Sequence, residues 1–179
     1  MVLNRKVFKQ LLWVLSEIEA FTSRPNDMLR LRRLYLESEG VKFGKHLWVG
    51  RNLCLSNNFN NISLGERCAI GDCVNIVAHA PISIGDDFIG ASGLHIDSGT
   101  HDTVTLQPNN LPICIGNRVW CGIDVTILSG VTIGDNVVIG AKSLVCKDIP
   151  SNSIAVGVPA KVIKSLDRSN IESMWTWIC

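Results

Sequence analysis

Three of the chain's four histidines, His79, His95 and His101, lie close together in its middle part. Imidazole changes charge near neutrality, so such a group supports two chemistries. One neutral ring can take a proton from a hydroxyl and hand it to a leaving group. Alternatively, three rings shared between chains can hold zinc, as imidazole is a common zinc ligand. The spacing favours the base. His101 stands in GTHD, within LHIDSGTHDTVTLQPNNLPI (94–113), a stretch that interrupts an otherwise regular pattern, and a metal site has no need of such an excursion. No metal is assigned.

The pattern it interrupts is a repeat of six. From Ile115 an aliphatic residue or cysteine returns at Cys121, Ile127, Ile133, Ile139 and Val145, with glycine following at Gly116, Gly122, Gly134 and Gly140. Neither a helix (period 3.6) nor a long strand (period 2) gives this; a short strand, a corner and another short strand do. The apolar residue is expected to face inward and the glycine to permit the corner. Aliphatic-x-aliphatic-Gly begins at Ile62, Ile82, Ile113 and Val131, at intervals of 20, 31 and 18 residues. Eighteen is three hexapeptides, one turn of a three-sided coil, so the interval of 31 carries an excess of thirteen. The expectation is a mainly β chain, a parallel β-helix whose stacked coils share one core, with a loop protruding at about 97–112 that displays His101. A β-sandwich needs longer alternating strands at looser intervals.

The expected division is a helical segment over 1–40, the prism over 41–164 and a helical tail over 165–179. Val7, Leu11, Leu12, Val14, Leu15 and Ile18 have helical spacing, and Pro25-Asn26-Asp27 can open a second helix to about Ser38. Arg30, Arg32 and Arg33 give that helix a basic side, a candidate for peripheral membrane association as well as an ordinary solvated face. Residues 41–61 read as an irregular first coil capped by the helices. SIAVGVPAKVIK is expected to leave the prism, and Trp175 and Trp177 to pack on a neighbouring surface. At 179 residues, 46% hydrophobic and 18% charged, the chain is a globular domain and not a disordered one. A net charge of +1 gives no bulk reason to expect nucleic acid. Glu17 and Glu19 break the longest apolar run short of a membrane span, and no small-residue cleavage site follows it, so the protein reads as cytoplasmic. The seven cysteines are odd in number and contain no CxxC, which favours free thiols.

A histidine-bearing loop, then IGNRVW, KDIP and GVPAKVI, in this order, resembles the hexapeptide-repeat acyltransferases, specifically the galactoside, maltose and nodulation-factor acetyltransferase group and its polysaccharide O-acetyltransferase relatives. The likeness runs from about Ile62 to Lys164. It implies a left-handed coil and a homotrimer with sites in clefts between prisms. It also implies acetyl transfer from acetyl-CoA to a sugar hydroxyl in surface-polysaccharide synthesis, with N-acetylation of an amino sugar as the near alternative. On this resemblance His101 is the catalytic base. Trp120 sits beside the acetyl and pantetheine end, Gly122, Gly140 and Ala141 offer backbone to the cofactor's amides, and Lys147, Lys161 and Lys164 face its phosphates. The acceptor side departs from the sugar enzymes: Gly71 stands where they have an asparagine and His79 where they have an aspartate. Asn75, His79 and Asp97 are the candidates for lining this pocket. A γ-carbonic-anhydrase-like metalloenzyme on the same prism and a non-catalytic trimeric scaffold are the rival readings.

Overall fold

The computed structural model describes residues 5–22 and 30–167. Helices α1 (Arg5–Thr22) and α2 (Arg30–Glu39) pack together ahead of the coils. The first coil runs through β1 (Leu47–Val49), β2 (Cys54–Asn57), a short 3-10 turn (Phe59–Asn61) and β3 (Ile62–Leu64). The second has β4 (Cys68–Ile70), β5 (Asn75–Ala78) and β6 (Ile82–Ile84), and the third β7 (Ile89–Gly90), β8 (His95–Asp97) and β9 (Ile113–Ile115). Next come β10 (Trp120–Cys121), β11 (Thr126–Ile127) and β12 (Thr132–Ile133), then β13 (Val137–Ile139) and β14 (Leu144–Val145), then β15 (Ser153–Val156) and β16 (Lys161–Ser165). Each strand from β1 to β15 pairs in parallel with the equivalent strand one coil away, and β16 adds to the end of the first face, giving three faces. The first face is β1-β4-β7-β10-β13-β15-β16, the second β2-β5-β8-β11-β14 and the third β3-β6-β9-β12. The fold is a left-handed parallel β-helix.

The sequence intervals are the coil registers. Ile62 pairs with Ile82, Ile82 with Ile113 and Ile115 with Ile133, so the thirteen extra residues fall between β8 and β9. Inside runs one column of Ile, Val and Leu from Leu47 to Ala155, nearly all below a tenth exposed. Burying each such side chain contributes roughly 1.5–3 kcal/mol. One inward position holds glycine: a Cβ on Gly90 would meet Leu94 Cδ2 at 2.6 Å and Phe88 Cε1 at 3.0 Å, because the fully buried Phe88 ring already fills that level.

The corners work differently from the expectation. The corner glycine is not the residue in the left-handed region; that is the residue two further on, as at Asp87 (φ 57), Arg118 (φ 55), Asn136 (φ 57) and Lys142 (φ 58). What excludes a side chain at the glycine is the next coil, since a Cβ on Gly85 would stand 2.8 Å from the Gly116 backbone and one on Gly116 2.8 Å from that of Gly134. Beside those glycines a side-chain ladder satisfies the corner amides. Glu66 N donates to Asp86 Oδ1, Asp86 N to Asn117 Oδ1, Asn117 N to Asp135 Oδ1 and Asp135 N to Ser151 Oγ. Glycine lets the coils close up, and the following Asp or Asn staples them.

Three expectations change. Residues 41–61 form a complete coil, with β1 and β2 paired in register to β4 and β5. Ser153–Val156 stays in the prism, paired in parallel with β13, and only then does the chain reverse into the antiparallel β16. The basic side of α2 is packed: Arg32 is 2% exposed and donates to the Ser16 carbonyl, while Arg33 donates to the Lys45 carbonyl and lies over the Phe43 ring, 5.1 Å from its centroid. That arrangement ties helix to prism and leaves no basic face for a membrane made from Arg32 and Arg33. Leu36, from the same helix, joins the core column at its open end, the capping role expected of it. The expected terminal helix, with Trp175 and Trp177, lies outside the described residues, apart from Ser165, which ends β16, and the non-helical Leu166 and Asp167. Among the described residues no helix is long and apolar enough to cross a membrane.

Candidate active site

His101 is set by the corner between the second and third faces. Ser98, wholly buried, accepts from Ala80 N and donates to the Ala80 carbonyl, fixing the start of the insertion to the second coil. Ser129, from the fourth coil, donates to the Ser98 carbonyl and accepts from Leu111 N. Between these pins the insertion is a small hairpin. His101 bridges Pro108, Asn109 N donates to the Thr100 carbonyl, and Thr100 N to Asn110 Oδ1. Asp102 turns the tip, accepting from Val104 N, Thr105 N and Thr105 Oγ1, and these bonds hold its carboxyl below the usual range. His101 is exposed and its imidazole has no partner among the described residues, and the apolar tip residues Val104 (88% exposed) and Leu106 (72%) also point away from the prism.

Two acceptor candidates meet the base of this loop. His79 sits at the same corner one coil earlier. A Cβ on Gly99 would lie 2.5 Å from its Cδ2 and 3.0 Å from Asp97 Oδ1, so Gly99 is what allows ring, carboxylate and loop to converge. Asp97 Oδ1 accepts from Gly99 N, and its Oδ2 is 4.0 Å from His95 Nε2. Asn75 lies further back on the second face, in register with His95, its Oδ1 shielded from solvent and without a partner. Sequence reasoning missed Asn57, whose Nδ2 is 3.1 Å from His79 Nε2; the signal available was the asparagine-rich run NNFNN opposite it in the coil register.

The cofactor candidates spread over the later coils. Trp120, 46% exposed, stands on the outside of the first face between Ile89 and Val138. Gly122 and Gly140 donate their N–H groups to the carbonyls of Ile139 and Ala155, so their amides belong to the coil ladder; Ala141 is exposed, and its N–H has no partner among the described residues. A Cβ on Gly122 would stand 2.7 Å from Ala141 N, a stacking reason for that glycine. Lys147 projects from the corner between the second and third faces. Asp148 beside it accepts from Thr132 N and Ile149 enters the core, which explains KDIP as a structural clasp. Lys161 and Lys164 lie three apart, which on a regular strand would put them on opposite sides. A bulge in the β15–β16 pairing instead sets Lys161 opposite Val156 and Lys164 opposite Ile154, both outward positions, so the two ammonium groups share a side. All three lysines are exposed and, among the described residues, none is paired with a carboxylate, whereas Lys142 is held by Asp124 at 2.9 Å. Free ammonium groups, an unpaired amide and a half-exposed indole fit an anionic, amide-containing thioester.

In a three-sided prism the edge between the second and third faces lies opposite the first face. His101 and Trp120 are therefore on opposite sides of one chain. Among the described residues, no three His, Cys, Asp or Glu side chains gather to hold a metal ion.

Comparisons with known proteins identify the family. Residues 115–147 match the bacterial transferase hexapeptide (six repeats) family. The galactoside O-acetyltransferase of Escherichia coli K12 is 39% identical over 150 residues, covering 81% of this chain and 73% of that protein. WcaF of the same organism, which carries the provisional name colanic acid biosynthesis acetyltransferase, is 32% identical over 155 residues, 86% of this chain and 85% of that one. Among solved structures, a maltose O-acetyltransferase from Clostridium difficile 630 superposes with a TM-score of 0.72 at 32% identity, covering 89% of this chain and 87% of the other. A galactoside acetyltransferase in complex with coenzyme A gives 0.73 at 31%, covering 92% and 82%. The chain belongs to the hexapeptide-repeat acetyltransferases and is an acetyl-CoA-dependent enzyme.

Proposed function

We propose that this acetyltransferase acts on a sugar hydroxyl in the assembly of a surface polysaccharide, as a homotrimer in the cytoplasm, with His101 as general base and no metal. The observation that carries the site is the exposed imidazole of His101, without a partner among the described residues, on a hairpin pinned at both ends by Ser98 and Ser129. Neutral His101 takes the proton of the acceptor hydroxyl as its oxygen attacks the thioester carbonyl. The tetrahedral adduct collapses, the C–S bond breaks, and the imidazolium returns the proton to the thiolate, leaving an acetyl ester and free CoA thiol. Trp120, the Ala141 N–H and Lys147, Lys161 and Lys164 hold the thioester donor, and His79, Asp97 and Asn75 line the acceptor side.

The opposed placement of His101 and Trp120 supports a site shared between prisms, and the apolar loop tip supports a neighbour that covers it. The acceptor class rests on the named relatives, which carry galactoside, maltose and colanic acid in their names. The same base would serve an amine, so N-acetylation of an amino sugar is the second reading. Incubation with acetyl-CoA and a panel of sugars, with thiol release as readout and NMR of the product, tests both: an ester acetyl supports the first reading and an amide acetyl the second. Calorimetric silence toward CoA and acetyl-CoA would leave only a scaffold.

A further inference from the structure

Helix α1 is oriented the wrong way round for a helix that serves a single chain. The side it turns to its own chain is largely polar. Lys9 pairs with Glu39 at 2.7 Å, the buried Ser16 offers its carbonyl to Arg32, and Leu12 is the one apolar side chain of α1 below a tenth exposed among the described residues. Its other side carries Val7, Phe8, Leu11, Val14, Leu15 and Ile18, each between 38% and 54% exposed. At 3.6 residues per turn these six fall within an arc of about 120°, and no charged position of the helix lies inside it. A surface helix ordinarily does the reverse, burying its apolar side and showing its polar one. A contiguous apolar face of this kind marks a surface that something covers.

Spacing and charge decide what covers it. Val7, Leu11, Val14 and Ile18 follow one another at intervals of four, three and four, the seam of a coiled coil. Phe8 and Leu15 each come one residue after a valine of that seam, so both widen it on the same flank. In heptad terms Leu11 and Ile18 stand at a, and Val7 and Val14 at d. A β-branched residue at d with leucine at a disfavours two strands and suits three or four. Charge speaks against a lipid surface, which is met by cations beside the apolar side. Here Lys9 is turned to Glu39, Arg32 into the contact between the helices and Arg33 to the Lys45 carbonyl.

We propose that α1 is an interface between copies of this chain, its Val7-Leu11-Val14-Ile18 seam packing on α1 of the neighbouring chains in the homotrimer. Prisms parallel to a three-fold axis bring all three α1 helices to the same end of the assembly. Two heptads are too short to associate strongly by themselves, but the prisms hold the helices at high effective concentration. This rests on the homotrimer reading above and adds to it a second place of contact, at the capped end.

The test places a photoreactive benzophenone side chain at Leu11 of the full chain and maps the irradiated product by mass spectrometry. The expected crosslink joins α1 of two chains of one trimer; crosslinks to other segments alone would overturn the proposal. Leu11→Glu and Val14→Glu alter side chains that are exposed in the single chain, so each variant is expected to keep its circular dichroism. Mixed with isotopically labelled wild type and followed by native mass spectrometry, each is expected to exchange subunits at least tenfold faster than wild type, because lost interface contacts act mainly on dissociation. Leu11→Ile, which keeps the seam apolar, should exchange at the wild-type rate. Trimers whose exchange Leu11→Glu leaves unchanged would overturn the proposal and spare the homotrimer. So would hexamers that Leu11→Glu reduces to trimers, or wild-type binding to phosphatidylcholine vesicles that Leu11→Glu abolishes, since the seam would then belong to another trimer or to lipid. Monomeric wild type at micromolar concentration would overturn both readings.

Discussion

His101 is an exposed side chain whose ring bonds to nothing among the described residues, so truncating it removes a reactive group without opening the fold. His101→Ala is expected to lower kcat by roughly 10²–10⁴-fold, the usual contribution of a placed acid or base. Acetyl-CoA affinity, measured calorimetrically, should change little; near-normal turnover would remove this residue from the mechanism. The cysteines divide just as sharply. Burial pushes the Cys68 thiol up to about 11 and the Cys121 thiol up to about 12, whereas Cys54, Cys73, Cys114 and Cys146 are exposed. Both buried thiols have folded values above their unfolded ones. Between about pH 9 and 11 the unfolded chain therefore loses these protons first, and stability falls as the pH rises. Urea midpoints should decline over that window, and Cys121→Ala should flatten the decline. At pH 8, thiol-alkylating reagents should label Cys54, Cys73, Cys114 and Cys146 of the folded protein and spare Cys68 and Cys121.

At the scale of the corner, the positions that tolerate change are the reverse of what a glycine-rich turn suggests. Gly85 has ordinary backbone angles yet no room, since an added Cβ would press on Gly116 backbone at 2.8 Å and Asn117 Oδ1 at 2.6 Å. Backbone cannot yield as a side chain can, so Gly85→Ala is expected to destabilise by about 1–3 kcal/mol. Lys142 occupies a left-handed position on the surface (φ 58), and Lys142→Gly relieves that strain at the loss of its exposed ion pair with Asp124. Its unfolding midpoint should stay close to wild type, and Gly85→Ala proving equally mild would refute the stacking argument. The same logic separates the glycine of IGNRVW from its indole: Gly116 belongs to the coil stack, while Trp120 faces outward and is free to serve a ligand.

For the molecule as a whole, the proposed donor side and the proposed base lie on opposite sides of one prism, so on that proposal an isolated chain would contain halves of two sites. A mixture of two defective chains can then regain what each has lost. Let one lack the base, His101→Ala, and the other the paired ammonium groups, Lys161 and Lys164 both to Glu. If a site draws its histidine from one chain and these lysines from the next, random assembly makes each site complete with a chance of one half times one half. About a quarter of wild-type activity should therefore return on co-refolding. Lys147 is left unchanged because it shares the His101 edge. Native mass spectrometry must show trimers containing both chains; with such trimers present and no activity regained, the shared site fails.

The repeat of six, the inward aliphatic column and the thirteen-residue insertion were legible because each is a local regularity that stacking turns directly into register, as the pairing of Ile62, Ile82 and Ile113 shows. The placement of His101 on a loop outside the coils was legible because the insertion that carries it breaks that regularity. Other features depended on residues a full coil apart, and linear spacing does not measure that distance. The sequence marks glycine at the corners, but only the neighbouring coil shows that Gly85 and Gly116 serve close approach while the next-but-one residue takes the left-handed turn. Lys161 and Lys164, three apart, look opposed until the bulge at β15–β16 puts them on one side. Asn57 and His79 become a pair only because consecutive coils bring them to the same edge, and Arg32 changes from a surface charge to a buried one because α2 closes the end of the prism. Tertiary structure decided these because a side chain's partners are set by which coil lies above it, while its own neighbours in sequence lie on other faces.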